Sequence, residues 1–236
     1  DSEVLSVTIS GIPAGATLSA GTVNGDGSVT LTAAQLDGLT ITPPDDSNVD
    51  FDLTVAATST DGTDTATTTA TLPVSVTGVA DDPTVTAGDV SGDEDTAIAL
   101  NLSAALNDVD GSETLAVTLT GLPAGATLSA GTVNGDGSVT LTAAQLDGLT
   151  VTPPDDFSGD MTLTLTATST EDDGDTAVVS EDFTVSVTGV ADAPTLDVTA
   201  ASGDEDTAIP LDITAALTDD SEVLSVTISG IPAGAT

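Results

Sequence analysis

A long internal repeat constrains this chain more than any other feature. Gly11–Asp46 returns as Gly121–Asp156 with only Ile12 replaced by Leu122 and Ile41 by Val151, and the step from Gly11 to Gly121 sets a period of 110 residues. That is a domain's length, too long for helical or leucine-rich solenoid units. A second marker agrees: Gly92-Asp93-Glu94-Asp95-Thr96-Ala97-Ile98 returns as Gly203-Asp204-Glu205-Asp206-Thr207-Ala208-Ile209, and Asp1–Thr17 recurs unchanged as Asp220–Thr236. The phase predicts a partial first copy over 1–82 with its start missing, a complete copy over 83–193 and the beginning of a third over 194–236. Each end therefore falls inside a repeat. Residues Pro194–Asp219 followed by Ser2–Asp82 would make one whole copy, so the partial copies could pair end to end between molecules.

Within the repeat the apolar spacing is two. Leu115, Val117 and Leu119 alternate with Thr118 and Thr120; Met161, Leu163 and Leu165 alternate with Thr162, Thr164 and Thr166; Phe183, Val185 and Val187 alternate with Thr184, Ser186 and Thr188. Such stretches are half-buried strands, and the outward threonines favour extended backbone. Asn134-Gly135-Asp136-Gly137 lies between two of them and reads as a hairpin, because Asn and Gly tolerate the positive φ of a tight turn. Seven strands are predicted in the complete copy, at 97–102, 115–120, 127–133, 138–141, 149–152, 161–168 and 183–188, with one helical turn at 142–146. The expected fold is all-β: tandem seven-stranded antiparallel β-sandwiches close in length to immunoglobulin domains.

Charge then decides the chemistry. The chain carries 39 Asp and Glu and no Lys, Arg or His, a formal charge of −39. No ion pair can form within it, so crowded carboxylates must be solvated, protonated or bridged by cations from the medium. Nucleic acid and anionic membrane surfaces are excluded as partners, since both need Lys and Arg to displace counterions. No apolar run is long enough to span a membrane. The 39% hydrophobic content separates the chain from disordered acidic sequences. Cysteine is absent, so there is no disulfide framework.

The acids gather in loops. Counting seven strands up and down places the turn Asn107-Asp108-Val109-Asp110-Gly111-Ser112-Glu113, the Asp155, Asp156 and Asp160 loop and the exit linker with Asp192 at one end of the sandwich. It places Asp172, Asp173 and Asp175, the lead-in with Glu94, and the preceding linker with Asp81 and Asp82 at the other. Each joint would collect carboxylates from two copies. Calcium suits such a joint, because it accepts six to eight oxygens at flexible geometry, whereas zinc prefers the His and Cys that are missing. Glu205 repeats Glu94 in the third copy and joins the candidates. Asp108-x-Asp110-Gly111 is not an EF-hand, because the position of the terminal Glu holds Leu119. A carboxylate run is also what a merely solvated surface carries; the lack of any basic residue and the concentration in loops weigh for binding. Asp26 and Asp136 are explained by their hairpins.

The sequence resembles the cadherin-like, immunoglobulin-like extender repeats of large bacterial adhesins, of repeats-in-toxin (RTX) and biofilm-associated types. The resemblance covers the whole chain. It is carried by Gly92-Asp93-Glu94-Asp95-Thr96, the Asn107–Leu115 loop, Gly121-Leu122-Pro123-Ala124-Gly125-Ala126, Pro153–Asp160 and Val187–Pro194. It implies secretion to the bacterial cell surface, calcium at or near the boundaries between repeats, and a spacer role that projects a distal ligand-binding tip for adhesion or biofilm formation. It implies Asp108, Asp110, Glu113 and Asp192 as ligands, with Asp219, Asp220 and Glu222 their equivalents in the next copy. That copy reads Thr218-Asp219-Asp220-Ser221-Glu222, two residues shorter and without the glycine.

The expected mechanism is that calcium stiffens a self-repelling chain, whose partners are its own neighbouring modules and which is otherwise monomeric. Two rivals use the same fold: a sugar- or ice-binding module presenting its threonine rows, and a subunit of a surface-layer lattice. An enzyme is not expected, since no His, Lys, Cys or Tyr stands beside the carboxylates and the acids lie in open loops.

Overall fold

The computed structural model describes residues 3–108 and 110–235; the repeat ends at residues 1, 2 and 236, and Val109 in the acidic turn, lie outside them. Contacts divide the chain into two compact units, residues 1–85 with 103–117 and 166–180, and residues 86–102 with 118–165 and 181–236. Among the described residues no helix is long and apolar enough to cross a membrane.

The first copy contributes β1 (Val4–Ser10), β2 (Thr17–Leu18), β3 (Thr22–Val23), β4 (Val29–Thr32), β5 (Ile41–Thr42), β6 (Phe51–Asp61) and β7 (Asp64–Val74). The complete copy opens with β8 (Thr84–Gly88), β9 (Val90–Asp93), β10 (Ile98–Ala99), β11 (Asn101–Ala105) and β12 (Glu113–Thr120). It continues with β13 (Thr127–Leu128), β14 (Thr132–Val133), β15 (Val139–Leu141), the helical turn α1 (Ala143–Leu146), β16 (Thr150–Thr152), β17 (Gly159–Glu171) and β18 (Thr176–Thr188). The third copy adds β19 (Thr195–Thr199) and β20 (Asp212–Ala216).

The chain is all-β, and each of the first two copies stacks a larger sheet on smaller ones. The larger sheets run β3-β4-β1-β6-β7 and β14-β15-β12-β17-β18-β9; the smaller ones are β2-β5 in the first copy and β10-β16-β13 with β11-β8 in the second. The period-two residues turn inward as expected: Val117, Leu119, Leu163, Leu165, Val185 and Val151 are wholly buried. Each such side chain contributes about 1.5–3 kcal/mol by leaving water. α1 forms where a single turn was expected, and the Gln145 side chain accepts the Thr142 N–H across it at 2.8 Å.

Two departures from the seven-strand count matter for the site. The segment before residue 97 is not a plain lead-in, since β8 and β9 carry the chain along the sandwich before β10 and β11 return. β9 also pairs parallel with β18, so the larger sheet is not wholly antiparallel. The expected strand over 127–133 is broken in two: β13 pairs with β16 while β14 pairs with β15 in the other sheet. Gly131 makes the break, with φ +104, and an added Cβ would stand 2.5 Å from Val139 Cγ1.

Candidate metal centre

In the first unit, the linker between β7 and β8 meets the turn before β12. The Asp81 N–H donates to Glu113 Oε1 at 2.7 Å, and Asn107 Nδ2 donates to the Asp82 carbonyl at 2.8 Å. Thr84 Oγ1 donates to Asn107 Oδ1 at 2.8 Å and so orients that amide. The acidic turn is wound on its own side chains: Asp108 Oδ1 accepts the Asp110 N–H and Asp110 Oδ1 accepts the Ser112 N–H, at 2.7 and 2.8 Å. Ser112 Oγ bridges Asp108 Oδ2 and Glu171 Oε1 at 3.3 and 3.2 Å, and Glu171 Oε2 accepts Asn48 Nδ2 at 3.3 Å. Gly78 lies close beside it: an added Cβ there would stand 2.8 Å from the Glu171 carboxylate.

These contacts bring oxygens of Asp81, Asp108 and Glu113 within 4.8 Å of one another. Glu113 is 7% exposed, and its Oε2 is buried without a hydrogen-bond partner among the described residues. A cleft of about 200 Å³ opens alongside, walled by Asp46, Asn48, Gly78, Asp81 and Glu171. Asp46 holds a left-handed backbone, φ 59. Its carboxyl is raised above its ordinary 3.8 by partial desolvation and then by the charges of Asp108, Asp81, Asp45 and Asp110. Asp110 moves the other way, lowered by the Ser112 hydroxyl and N–H.

The second unit holds a counterpart around the linker after β18. The Asp192 N–H donates to Glu222 Oε1 at 2.6 Å, as Asp81 does to Glu113, although the turn between Asp219 and Glu222 is two residues shorter. Ser221 donates its N–H to Asp219 Oδ1 and its hydroxyl to Asp219 Oδ2, which lowers that carboxyl. Oxygens of Asp95, Asp156 and Asp192 lie within 4.8 Å of one another. The Asp156 N–H donates to Asp95 Oδ1 at 3.2 Å, and Val190 N–H to Glu94 Oε1 at 2.6 Å. Glu94 is 3% exposed, with Oε2 buried and unpartnered among the described residues. Asp95 and Asp156 are left-handed, φ 57 and 55, a backbone that Asp tolerates better than most residues. Asp156 is raised by desolvation and then by Asp219, Asp95, Asp192 and Asp155.

Of the carboxylates singled out in the sequence, Asp81, Asp108 and Glu113 converge in the first cluster, and Asp156 and Asp192 in the second. Glu94, Asp219 and Glu222 flank the latter. Asp82 reaches the first joint through its carbonyl, while Asp110 and Asp173 fold back on their own turns. Asp175 accepts the Ala80 N–H at 3.0 Å and ties the linker. Asp172, Glu205 and Asp220 are exposed and stand outside both groups of three. Asp46 was not singled out, and Asp95 and Glu171 stood out only as members of the acidic runs 93–95 and 171–175, not as ligands. Asp46 repeats Asp156 in the same Pro-Pro-Asp-Asp block, which is a signal.

The strand count also misplaced two loops. The turn 107–113 meets the linker that precedes its copy, not the one that follows, and Glu94 meets the following linker, not the preceding one. The return trip of β8 and β9 reverses the direction of the next strands, and the break at Gly131 restores it, so the loops at 153–160 and 171–175 stay where expected.

The donor set is all oxygen, with two orphaned buried carboxylate oxygens and no positive side chain to neutralise them. It fits a hard cation, and calcium in particular. No protein-family model matches the chain, and no curated protein matches it in sequence. Among solved structures it is similar to PcdhgB3 EC1-4, with 14% identity over 83% of this chain and 44% of that one and a TM-score of 0.38. It is also similar to mouse Protocadherin-24 EC1-3, with 17% identity, 78% and 59% coverage and 0.32. For the Escherichia coli adhesin FdeC the values are 24%, 92%, 62% and 0.28. The chain spans less than half the length of the protocadherin fragments PcdhgB3 EC1-4 and gammaB7 EC3-6. These neighbours are cadherin-like domains, including a bacterial adhesin. At such TM-scores the likeness carries no argument, and the β-sandwich rests on its own strand pairing.

Proposed function

We propose that this chain is part of the extender of a secreted or cell-surface bacterial adhesin, stiffened by calcium held where successive repeats meet. One observation carries the reading: Glu113 and Glu94 each bury an unpartnered carboxylate oxygen beside further carboxylates, in a chain without a single cation. Leaving a buried charge uncompensated costs several kcal/mol, and with no basic side chain in the sequence a cation from the medium is the compensation that keeps these carboxylates ionised. Asp81, Asp108 and Glu113 would hold it in one joint and Asp95, Asp156 and Asp192 in the other, with Asp46, Glu94 and Glu171 adjacent. The RTX and biofilm assignment rests on the sequence resemblance alone.

No chemistry passes through the ion, which acts as a clamp. Extracellular calcium modules bind at about 10⁻⁴ to 10⁻³ M, so millimolar calcium outside a cell would occupy the joints and cytosolic calcium would not. Small-angle scattering and calorimetric titration of the chain, with and without chelator, test the reading. Calcium is expected to bind at two or more sites and to lengthen the maximum dimension. Absence of binding at millimolar calcium would refute it.

A further inference from the structure

We infer that Asn24 and Asn134 are latent deamidation sites, held unreactive in their folded hairpins by a pair of hydroxyls and released when the hairpin opens. The inference is independent of the calcium reading. Asparagine followed by glycine is the context that favours this chemistry most, because glycine has no side chain to hinder its backbone nitrogen. That nitrogen gives its proton to hydroxide and attacks the asparagine Cγ. The bond from Cγ to Nδ2 breaks, ammonia leaves, and a succinimide ring remains. Water then opens the ring at either carbonyl to give aspartate or isoaspartate, so the net change is one water consumed and one ammonia released. The chain carries Asn-Gly twice, at Asn24-Gly25 and Asn134-Gly135.

The attacking nitrogens are not shielded. Gly25 and Gly135 are exposed, and a Cβ built on either meets nothing within 4 Å among the described residues. The amides under attack are held instead. Asn24 Nδ2 donates to Ser28 Oγ at 2.8 Å and to Thr30 Oγ1 at 2.9 Å, which commits both of its protons. Asn134 Nδ2 donates in the same way to Ser138 Oγ and Thr140 Oγ1, at 2.9 and 3.0 Å. Ser28 is buried, and Asp26 Oδ1 accepts both its hydroxyl at 2.7 Å and its N–H at 3.0 Å; Asp136 treats Ser138 alike. A hydroxyl that donates to a carboxylate accepts more strongly, so the relay tightens the hold on the amide. The backbone is pinned as well: the Asn24 N–H donates to the Ser28 carbonyl at 2.7 Å, and the Asn24 carbonyl accepts the Gly27 N–H at 3.1 Å.

Ring closure turns Cγ onto the next nitrogen and detaches Nδ2, so both side-chain hydrogen bonds must break first. Folding therefore suppresses the reaction through the amide rather than through the nucleophile. Each copy builds this clamp from residues of its own hairpin. The product cannot be reseated, because a carboxylate has no proton to give the two hydroxyls and lies across Ser28 or Ser138 from a second carboxylate. Isoaspartate also adds a methylene to the backbone next to the register pairs Val23 with Val29 and Val133 with Val139. A sustained opening of either hairpin is thus recorded irreversibly.

Mass spectrometry of the full chain, aged in mildly alkaline buffer, tests this, with peptides that reach Ile41 or Val151 telling the copies apart and an isoaspartate assay identifying the product. With two neutral hydrogen bonds to break, both sites should react about 30-fold more slowly in the folded chain than in urea. Thr30→Val keeps a branched strand residue but removes one hydroxyl, and it should speed Asn24 about 5-fold while Asn134 keeps its native rate. Thr30→Ser, which retains the hydroxyl, should react as slowly as the native chain. Amide hydrogen exchange at Asn24 and Gly27 should be unchanged in Thr30→Val, since the hairpin itself stays closed. Equal rates in the folded chain and in urea, Thr30→Val no faster than Thr30→Ser, or an acceleration matched by faster exchange of those two amides would each overturn the proposal.

Discussion

The two carboxylate clusters share a frame and differ in what is added to it. In both, a linker aspartate donates its N–H to a glutamate of the following turn, Asp81 to Glu113 and Asp192 to Glu222. In both, the preceding copy contributes the second aspartate of Pro-Pro-Asp-Asp in a left-handed pose, Asp46 or Asp156. The first cluster gathers Asp108 and Glu113 with Glu171 behind them, whereas the second gathers Asp95 with Glu94 behind it. Glu113 and Glu171 are buried in the first cluster and Glu94 in the second, where Glu222 is half-buried. The comparison teaches that the frame comes from the linker and the turn that follows it; the repeat counterparts of Glu94 and Asp95 at the first cluster, and of Glu171 at the second, fall outside residues 1–236.

Removing the cation should give the largest effect. If each cluster binds only when folded, calcium at a hundredfold excess over its dissociation constant adds about 2.7 kcal/mol per ion. Urea unfolding with calcium and with chelator measures this, and equal midpoints would end the comparison. Next, Glu113→Gln should weaken calcium binding at the first joint about 10- to 100-fold, or roughly 1.4–2.7 kcal/mol, and leave the second joint unchanged. Glu94→Gln should do the reverse. Calorimetry in which both sites respond equally to either change would show that the clusters are not separate.

Ser112 and Ser221 sharpen the contrast at smaller scale. Ser112 bridges Asp108 to Glu171, whereas Ser221 serves Asp219 alone. Ser112→Ala should cost about 1.5–3 kcal/mol by urea unfolding and Ser221→Ala less. The Ser112 hydroxyl proton is shared between buried carboxylates of two segments and its loss unties both, whereas Asp219 keeps the Ser221 N–H. Equal costs would remove the bridge from the account.

The smallest effect is in proton binding. Asp46 and Asp156 are raised above 3.8, so without metal their contribution to stability is present below that value and lost as pH climbs through their folded midpoints. Asp26 and Asp136, lowered by the hydroxyls and N–H groups of Ser28 and Ser138, contribute above 3.8 and lose it as pH falls through theirs. NMR titration of the carboxyl carbons should show the two pairs on opposite sides of 3.8. Calcium should pull Asp46 and Asp156 below it and leave the hairpin pair unmoved; indifference of Asp46 to calcium would place it outside the first site.

Much of the fold is legible in single residues. Leu115 through Thr120 and Met161 through Thr168 announce their strands by alternation, and Asn134-Gly135 announces its hairpin. The segment Thr84–Asp93 does not, because Gly88, Asp89 and Gly92 interrupt the alternation before a period can establish itself. The break at Gly131 is equally silent, since Thr127–Val133 reads as one extended run until a second sheet is there to claim half of it. The site follows the same division. Asp81 stands out as an acid in a linker, and Asp108, Glu113 and Asp192 through the family resemblance, while Glu171 reads only as the start of the acidic run 171–175 until Ser112 and Asn48 reach it.

By itself the sequence determined which residues face inward, that the chain is built of domain-length β repeats, and that its carboxylates have no internal counter-charge. These depend on side-chain period and on residue count, both local quantities. The tertiary structure alone decided which loops meet. An added or broken strand reverses the direction of everything after it, so the partners of the Asp108 turn and of Glu94 depend on the number of strands that precede them. No residue of either loop records that number.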